Sequence, residues 1–328
     1  VEVHRFPILA HASGFRDQIF SFRGFHSADI RKAREIKYDA VYASSSRLFT
    51  AYLGAALAEK RKASLFLDMR DLFRENICEI IQNPMGRLTL NAFLRAVEHR
   101  TFKRACHINL VSEGFREDFE CWNRPLTFFT NGIDSTFEGL SYADTNNHHE
   151  RPMVITYAGN IGEGQGLHQI IPVLASAFPD RFKFKIYGDG GKRAVLEDAV
   201  QAMGLNNVFI NDPVDRERLN GIYAKSDFLF VHLNRLKAFE KALPSKIFEY
   251  GAIGKPIIAG LAGYARHFVK ENLPDVLVFD PCDSREAIQK LENWSIPKDP
   301  LDRRQFRETF NRKNIMEHLA ETYLQSVC

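Results

Sequence analysis

Two short stretches of this sequence combine residue types and spacings suited to holding a phosphorylated ligand. The first is Gly159-Asn160-Ile161-Gly162-Glu163-Gly164-Gln165-Gly166, set between a strand pattern and a helix pattern. Glycines let a backbone approach a phosphate closely, and the start of the following helix favours negative charge. As a dinucleotide fingerprint the stretch fails, because its spacing is not G-x-G-x-x-G. The next strand also ends in the turn Gly188-Asp189-Gly190-Gly191, where a nicotinamide domain needs an acid for a ribose. The plainer alternative for these glycines is a tight turn. The second stretch is Leu243-Pro244-Ser245-Lys246-Ile247-Phe248-Glu249-Tyr250, running on through Gly251-Ala252-Ile253-Gly254-Lys255-Pro256. Ser245 after Pro244 is an N-cap signal and predicts a helix over 246–254. Its free amides and positive dipole end suit a diphosphate, and Lys246 adds a full charge. Glu249, about one turn further on, can accept hydrogen bonds from two vicinal ribose hydroxyls. The alternative is an ordinary surface helix with a solvated Lys and Glu.

A third pair, Arg70-Asp71, follows a strand in the first half and is a candidate for positioning an acceptor or a leaving group. Its alternative is a helix-start salt bridge, which contributes little when exposed. Two basic groups, Lys60-Arg61-Lys62 and Arg95, Arg100, Lys103, Arg104, could meet an anionic lipid surface or be solvated helix faces. No Asp-x-Asp occurs, so no metal clamp of that kind is expected, and no metal site is assigned.

These residues need elements to position them. After Pro152, strand patterns at 153–159, 182–187, 208–211, 228–233, 256–259 and 276–279 alternate with helical patterns at 167–178, 191–203, 215–226, 246–254 and 284–293. That order predicts a doubly wound Rossmann-type sheet, whose ligands sit at the carboxyl ends of the strands. In the first half, strand patterns at 38–43, 64–67 and 106–111 with helices at 48–60 and 87–105 predict another parallel α/β unit. Polar residues 135–151 read as a linker, and 302–325 as a charged amphipathic helix beyond the second domain's needs. The chain opens on a strand-like run, Val1–Phe6, which suggests that the natural beginning lies upstream.

With 328 residues, 45% apolar and 26% charged, the chain is long enough for two cores. A net charge of +3 does not suggest a nucleic-acid partner. The five cysteines are scattered and form no Cys-x-x-Cys, which favours a reducing, cytoplasmic setting without disulfides or zinc. The pair His148-His149 reads as solvated. No apolar run approaches the about 18 residues needed to span a bilayer.

Taken together, the motifs strand–Gly-Asn-Ile-Gly…Gln-Gly at 159–166, Gly188-Asp189-Gly190, and Pro244-Ser245-Lys246…Glu249-Tyr250…Gly254-Lys255-Pro256-Ile257 resemble those of the family 4 retaining glycosyltransferases. Within that family the chain looks most like bacterial O-antigen and capsule enzymes that transfer N-acetylated aminosugars. The resemblance extends to Tyr38–Ser45, Leu67–Leu72, Val111–Phe115 and Asn131-Gly132-Ile133-Asp134. It implies an α/β chain of GT-B fold, two Rossmann-like doubly wound domains facing a cleft. An acceptor-side domain would cover 1–134 and a nucleotide-sugar domain 152–300, with 301–328 returning to the first. The first domain would be incomplete, since the family's layout has several tens of residues ahead of Val1.

The resemblance also implies the donor, usually a UDP-sugar bound without a further cofactor, and a glycan or lipid-linked acceptor, in surface polysaccharide synthesis. Ser245 and Lys246 would hold the diphosphate and Glu249 the ribose. Gly159, Asn160, Gly162 and Gln165, Gly188 and Asp189, Val214, Lys241 and Pro244 would complete the donor site. Lys246, with Lys192 or Arg193, would steady the leaving phosphate, and Arg70 and Asp71 would act beside it. Three positions depart from the pattern. Asn160 and Gln165 stand where many members carry Arg and Lys, and Lys241 stands where the first of two glutamates is usual, eight positions before Glu249. A nucleotide-sugar epimerase of the same fold and a non-catalytic sugar-nucleotide binder remain open alternatives.

Overall fold

The structure, a computed structural model, describes residues 2–5, 30–33, 36–45, 47–81, 83–137, 151–273, 275–295 and 301–327. The chain divides into two compact units, Val1–Thr130 with Met316–Cys328, and Asn131–Ile315. The second unit therefore starts well before Pro152. Ser135–Phe137 form a single 3-10 turn rather than linker, because Phe137 is fully buried against Tyr223. The rest of the expected linker, including His148 and His149, lies outside the described residues. Residues 2–5 form no strand, and Val1 and Phe6 also lie outside the described residues.

The first unit runs β1 (Ala40–Ser45), α1 (Leu48–Arg61), β2 (Ser64–Met69), α2 (Phe73–Ile80), α3 (Pro84–Phe102), β3 (His107–Leu110), α4 (Arg116–Glu120) and β4 (Leu126–Thr127). Its four strands pair in parallel in the order β1-β2-β3-β4. β2 is buried from Leu65 to Met69, Asp68 included, as expected for a parallel strand covered on both faces. Ser44 and Ser45, beyond the strand expected at 38–43, also belong to β1 because both pair with β2.

The second unit runs β5 (Met153–Ala158), α5 (Leu167–Ala177), β6 (Phe182–Tyr187), α6 (Arg193–Ala202), β7 (Val208–Asn211), α7 (Arg216–Ala224), β8 (Phe228–His232), α8 (Lys237–Lys241), α9 (Lys246–Ile253), β9 (Ile257–Gly260), α10 (Gly263–Asn272), β10 (Val276–Phe279), α11 (Ser284–Asn293) and α12 (Arg304–Thr309). All six strands are parallel, in the order β10-β9-β8-β5-β6-β7. Chain direction across the sheet reverses between β5 and β8. In open α/β sheets this switch point, at the carboxyl ends, is where ligands bind. Alternate residues of β8 face opposite sides: Leu229 and Val231 join one apolar cluster, Phe228 and Phe230 the other.

The stretch expected as one closing helix is two, α12 and α13 (Arg312–Val327). The break falls where the Phe310 carbonyl accepts from the Ile133 amide at 2.7 Å, while Phe306 and Phe310 pack on Phe248. From Met316 on, α13 belongs to the first unit, with Tyr323 edge-on to Tyr42 and Phe66. Among the described residues no helix is long and apolar enough to cross a membrane.

Candidate functional site

The loops that follow β5 and β6 interlock at the switch point. Gly159 donates to the Tyr187 carbonyl at 2.8 Å, and Ile161 to that of Asp189 at 2.8 Å. Gly159 and Gly188 have φ of +149° and +150°, and a Cβ on Gly188 would overlap the Gly159 carbonyl oxygen. Only glycine fits this crossing. The loop is closed from within: Gln165 Oε1 accepts from Asn160 Nδ2 at 2.8 Å and from the Gly162 amide at 3.2 Å. The Tyr157 hydroxyl donates to the Asn160 carbonyl at 2.6 Å. Asn160 and Gln165 thus hold each other, and this uncharged pair shapes the loop from within.

Lys246 opens α9 and folds back over this loop. A Cβ on Gly159 would sit 2.6 Å from Lys246 Nζ, and the ammonium lies 5.5 Å from the centre of the Tyr157 ring. Burial lowers the Lys246 pKa from its usual 10.5, Arg216 lowers it further, and Glu249 opposes them. Among the described residues, no hydrogen bond or ion pair engages the Lys246 ammonium, the Ser245 hydroxyl or the Glu249 carboxylate. The Lys246 charge, eased by Glu249 about one turn on, is therefore bonded to no anion among the described residues. Ser245 is the N-cap, but it differs from the expected cap: its backbone is helical and its hydroxyl caps nothing. The first turn closes through backbone instead, Ile247 and Phe248 donating to the carbonyls of Pro244 and Ser245 at 3.1 Å.

Other expected residues are placed as follows. Asp189 is exposed, its carboxylate accepting from the Gly190 amide at 2.8 Å. Val214 is half-buried on the β7–α7 loop, and Lys241 ends α8, four residues before Ser245. Lys192 and Arg193 are already committed: Lys192 pairs with Glu163 at 2.8 Å, and Arg193 with Asp212 at 2.8 Å and Glu197 at 2.9 Å. Sequence reasoning missed Arg216, the first residue of α7. It pairs with Asp134, which also takes Arg312 at 2.6 Å. Burial works against ionising Asp134, but hydrogen bonds from Thr136 and the charges of Arg312 and Arg216 hold its pKa down at about 2. Arg216 is two residues from Val214, so the expected nucleotide loop did point to it.

A buried histidine anchors the loop from below. His232 Nδ1 donates to the Gln165 carbonyl at 2.6 Å, while Nε2 accepts from the Cys282 amide at 2.9 Å. Both nitrogens being used fixes a neutral ring, and burial brings its pKa down to about 4, against the pull of the Gln165 carbonyl.

In the first unit the expected pair separates in role. Arg70 Nε binds Ser44 Oγ at 2.8 Å and the buried Asp68 at 3.1 Å. Asp68 also accepts from Asn109 Nδ2 at 2.8 Å. Asp71 instead lines a cavity of about 310 Å³ beyond the end of β2, among Arg74, Glu98, Phe119 and Trp122. Among the described residues no three His, Cys, Asp or Glu side chains form a metal-ligand group.

Residues 142–312, just over half of the chain, match the family described as glycosyl transferases group 1. A curated relative is WcaI of Escherichia coli (strain K12), provisionally named a colanic acid biosynthesis glycosyl transferase. It is 27% identical over 170 residues, which are 50% of this chain and 41% of WcaI. The match thus spans about two fifths of that relative's length. Among solved structures, sucrose-phosphate synthase (tll1590) from Thermosynechococcus elongatus superposes with a TM-score of 0.73 at 15% identity, covering 97% of this chain and 82% of that one. Anabaena Alr3699/HepE in complex with UDP and glucose gives 0.67 at 16%, covering 95% and 83%. At these identities the likeness is one of fold, the GT-B pair of Rossmann-like units.

Proposed function

The chain belongs to the glycosyl transferases group 1, and on that premise we propose that it moves a sugar from a UDP-sugar to a glycan or lipid-linked acceptor. The observation that carries the reading is the Lys246 ammonium, lying over Gly159 at the switch point and bonded to no anion among the described residues. A diphosphate there would meet Lys246 and the Ser245 hydroxyl at the positive end of the α9 dipole, with Arg216 as a second cation beside the nucleotide. Glu249 would take the ribose hydroxyls, and the loops at Gly188–Asp189 and Val214 would border the nucleoside. UDP is favoured by HepE, whose structure holds it.

In the proposed reaction the donor's C1–O bond breaks, its electron pair leaves on the diphosphate, and the acceptor hydroxyl attacks from the same face. Negative charge grows on the leaving phosphate, so cations and amides placed there lower the barrier without a metal. Asp71, on the wall of the first unit's cavity, would face the acceptor. Arg70 would act only by holding Asp68 and the end of β1. The lining carboxylates Asp71, Glu75, Glu98, Glu117 and Asp118 outnumber Arg74 and Arg95. That balance suits a neutral or amino-bearing sugar, in line with an aminosugar acceptor or donor in surface polysaccharide synthesis on the cytoplasmic side.

The test is thermal stabilisation of the chain by a panel of UDP-, GDP- and dTDP-sugars, followed by release of nucleotide in the presence of acceptor glycans. UDP compounds should raise the melting temperature, since a ligand that binds only the native state stabilises it. Stabilisation by none of the panel would overturn the donor assignment. Binding of UDP-sugar with formation of a free epimer, and no transfer, would favour the epimerase.

A further inference from the structure

Another cavity, of about 320 Å³, opens at the carboxyl ends of β8, β9 and β10, wholly within the second unit. Leu233, Leu236, Phe239, Ala262 and Pro281 give it an apolar lining, and Arg235, Glu240 and Asp280 bring charge to it. Two buried side chains tie its walls together. Asn234 Nδ2 donates to the Glu163 carbonyl at 2.9 Å, while its Oδ1 accepts from the Arg235 amide at 2.7 Å. His232 holds the Cys282 amide, next to Pro281, at 2.9 Å. A Cβ on Gly263 would overlap the Glu240 carbonyl oxygen, so the start of α10 lies directly against the end of α8.

The three charged groups differ in what they already hold. Asp280 pairs with Arg266 at 2.5 Å. The Arg235 guanidinium and the Glu240 carboxylate belong to exposed residues and make no hydrogen bond or ion pair among the described residues. A free donor and a free acceptor thus border an apolar lining that includes one aromatic ring. The cavity also shares a wall with the β5–α5 loop. The Asn234 amide donates to the Gly164 carbonyl at 2.8 Å, and the Phe239 ring lies 2.8 Å from where a Cβ of Gly164 would be. Lys246 lies over Gly159 of the same loop, and Glu240 precedes Ser245 by five residues.

We propose that this cavity receives the acetamido arm of the donor's sugar, Arg235 donating to the acyl oxygen, Glu240 accepting from the amide N–H, and the methyl group packing among Leu233, Leu236 and Phe239. An acetamido group offers one acceptor, one donor and one methyl, and the cavity presents a partner for each. Charges of both signs at its rim select a neutral dipolar group: an ammonium would meet Arg235, and a carboxylate would meet Glu240, as like charges. A bare hydroxyl would leave the apolar lining wet and one of the two charged groups without a partner. The inference rests on the UDP-sugar reading, because the shared loop is what brings a sugar within reach. A diphosphate held by Lys246 carries its sugar on the next bond.

The experiment is isothermal titration of the full chain with UDP, UDP-glucose, UDP-glucosamine and UDP-N-acetylglucosamine. The acetylated sugar should bind at least about tenfold tighter than the other two sugars, since it adds two hydrogen bonds and a buried methyl group. Arg235→Ala with Glu240→Ala should cut that preference to about twofold or less and leave the affinity for UDP itself within about twofold. Ala262→Leu, which fills the cavity from another wall, should do the same. Arg235 and Glu240 are exposed, and an unchanged melting curve verifies folding of the variants. Equal binding of the three sugars by the parent chain, or an unchanged preference in either variant, overturns the proposal while UDP binding stands. So does an equal loss of UDP and UDP-sugar affinity in the variants, because the residues would then act on the diphosphate. Failure of UDP to bind at all removes the donor reading, and this inference with it.

Discussion

At the scale of single residues, the proposed donor site turns on Lys246, Ser245 and Glu249, whose polar ends make no hydrogen bond or ion pair among the described residues. Lys246 loses hydration over Tyr157 and Gly159, and Arg216 presses on it from α7. In the proposed reading an incoming diphosphate would supply a bonded counter-charge. A charge-assisted hydrogen bond contributes about 1.5–3 kcal/mol, so Lys246→Gln should weaken UDP on the order of tenfold to hundredfold. Arg216→Ala, exposed and already shared with Asp134, should cost less, about threefold to tenfold. Glu249→Ala should fall between them. Isothermal titration with UDP measures all three, and an unchanged affinity in Lys246→Gln would remove the phosphate assignment.

At the scale of elements, the β5 and β8 ends are tied by one buried ring. His232 grips the β5–α5 loop through the Gln165 carbonyl and the β10–α11 turn through the Cys282 amide. Protonation would set an N–H on Nε2 against the Cys282 N–H, and one contact must break. The folded pKa of about 4 lies below the ordinary 6.5, so the unfolded chain takes the proton first as pH falls. The stability from the neutral ring is therefore complete above pH 6.5, declines between 6.5 and 4, and is lost below. Its size is about 3 kcal/mol by linkage. Asp134 acts in a lower window: its stabilisation is full above 3.8 and lost as pH falls through about 2. Urea titrations between pH 7.5 and 4.5 should show the His232 slope, and His232→Asn should flatten it.

At the scale of the whole molecule, the two units differ in how the chain builds them. The second is one continuous segment, Asn131–Ile315, while the first needs Met316–Cys328 to complete it. Tyr323 packs on Tyr42 and Phe66, and Ser326 shares a 3.0 Å hydrogen bond with His107. Deleting 316–328 should destabilise the first unit and leave stabilisation of the second by UDP intact. Differential scanning calorimetry with and without UDP would resolve the two transitions, and loss of both together would contradict independent units.

Much of the second unit was legible in the sequence because its signals are local. A run such as Met153–Ala158 is a strand wherever it is placed, and glycines at 159, 188 and 190 announce turns before any partner is known. Strand alternation with helices then required a parallel sheet, and Pro244-Ser245 marked the start of α9. The elements α2, α4, β4, α8 and α10 were missed, three of them, α4, β4 and α8, being only two to five residues long. The sequence also determined that Lys246, Ser245 and Glu249 share one helix end. It could not say which cations were free. Lys192, Arg193 and Arg100 looked as available as Lys246 until folding set Glu163, Asp212 and Glu59 beside them. Charge pairing between residues tens of positions apart depends on three-dimensional distance. The sequence determined which groups could do chemistry; the tertiary structure, by pairing some and burying others, decided which were left to do it.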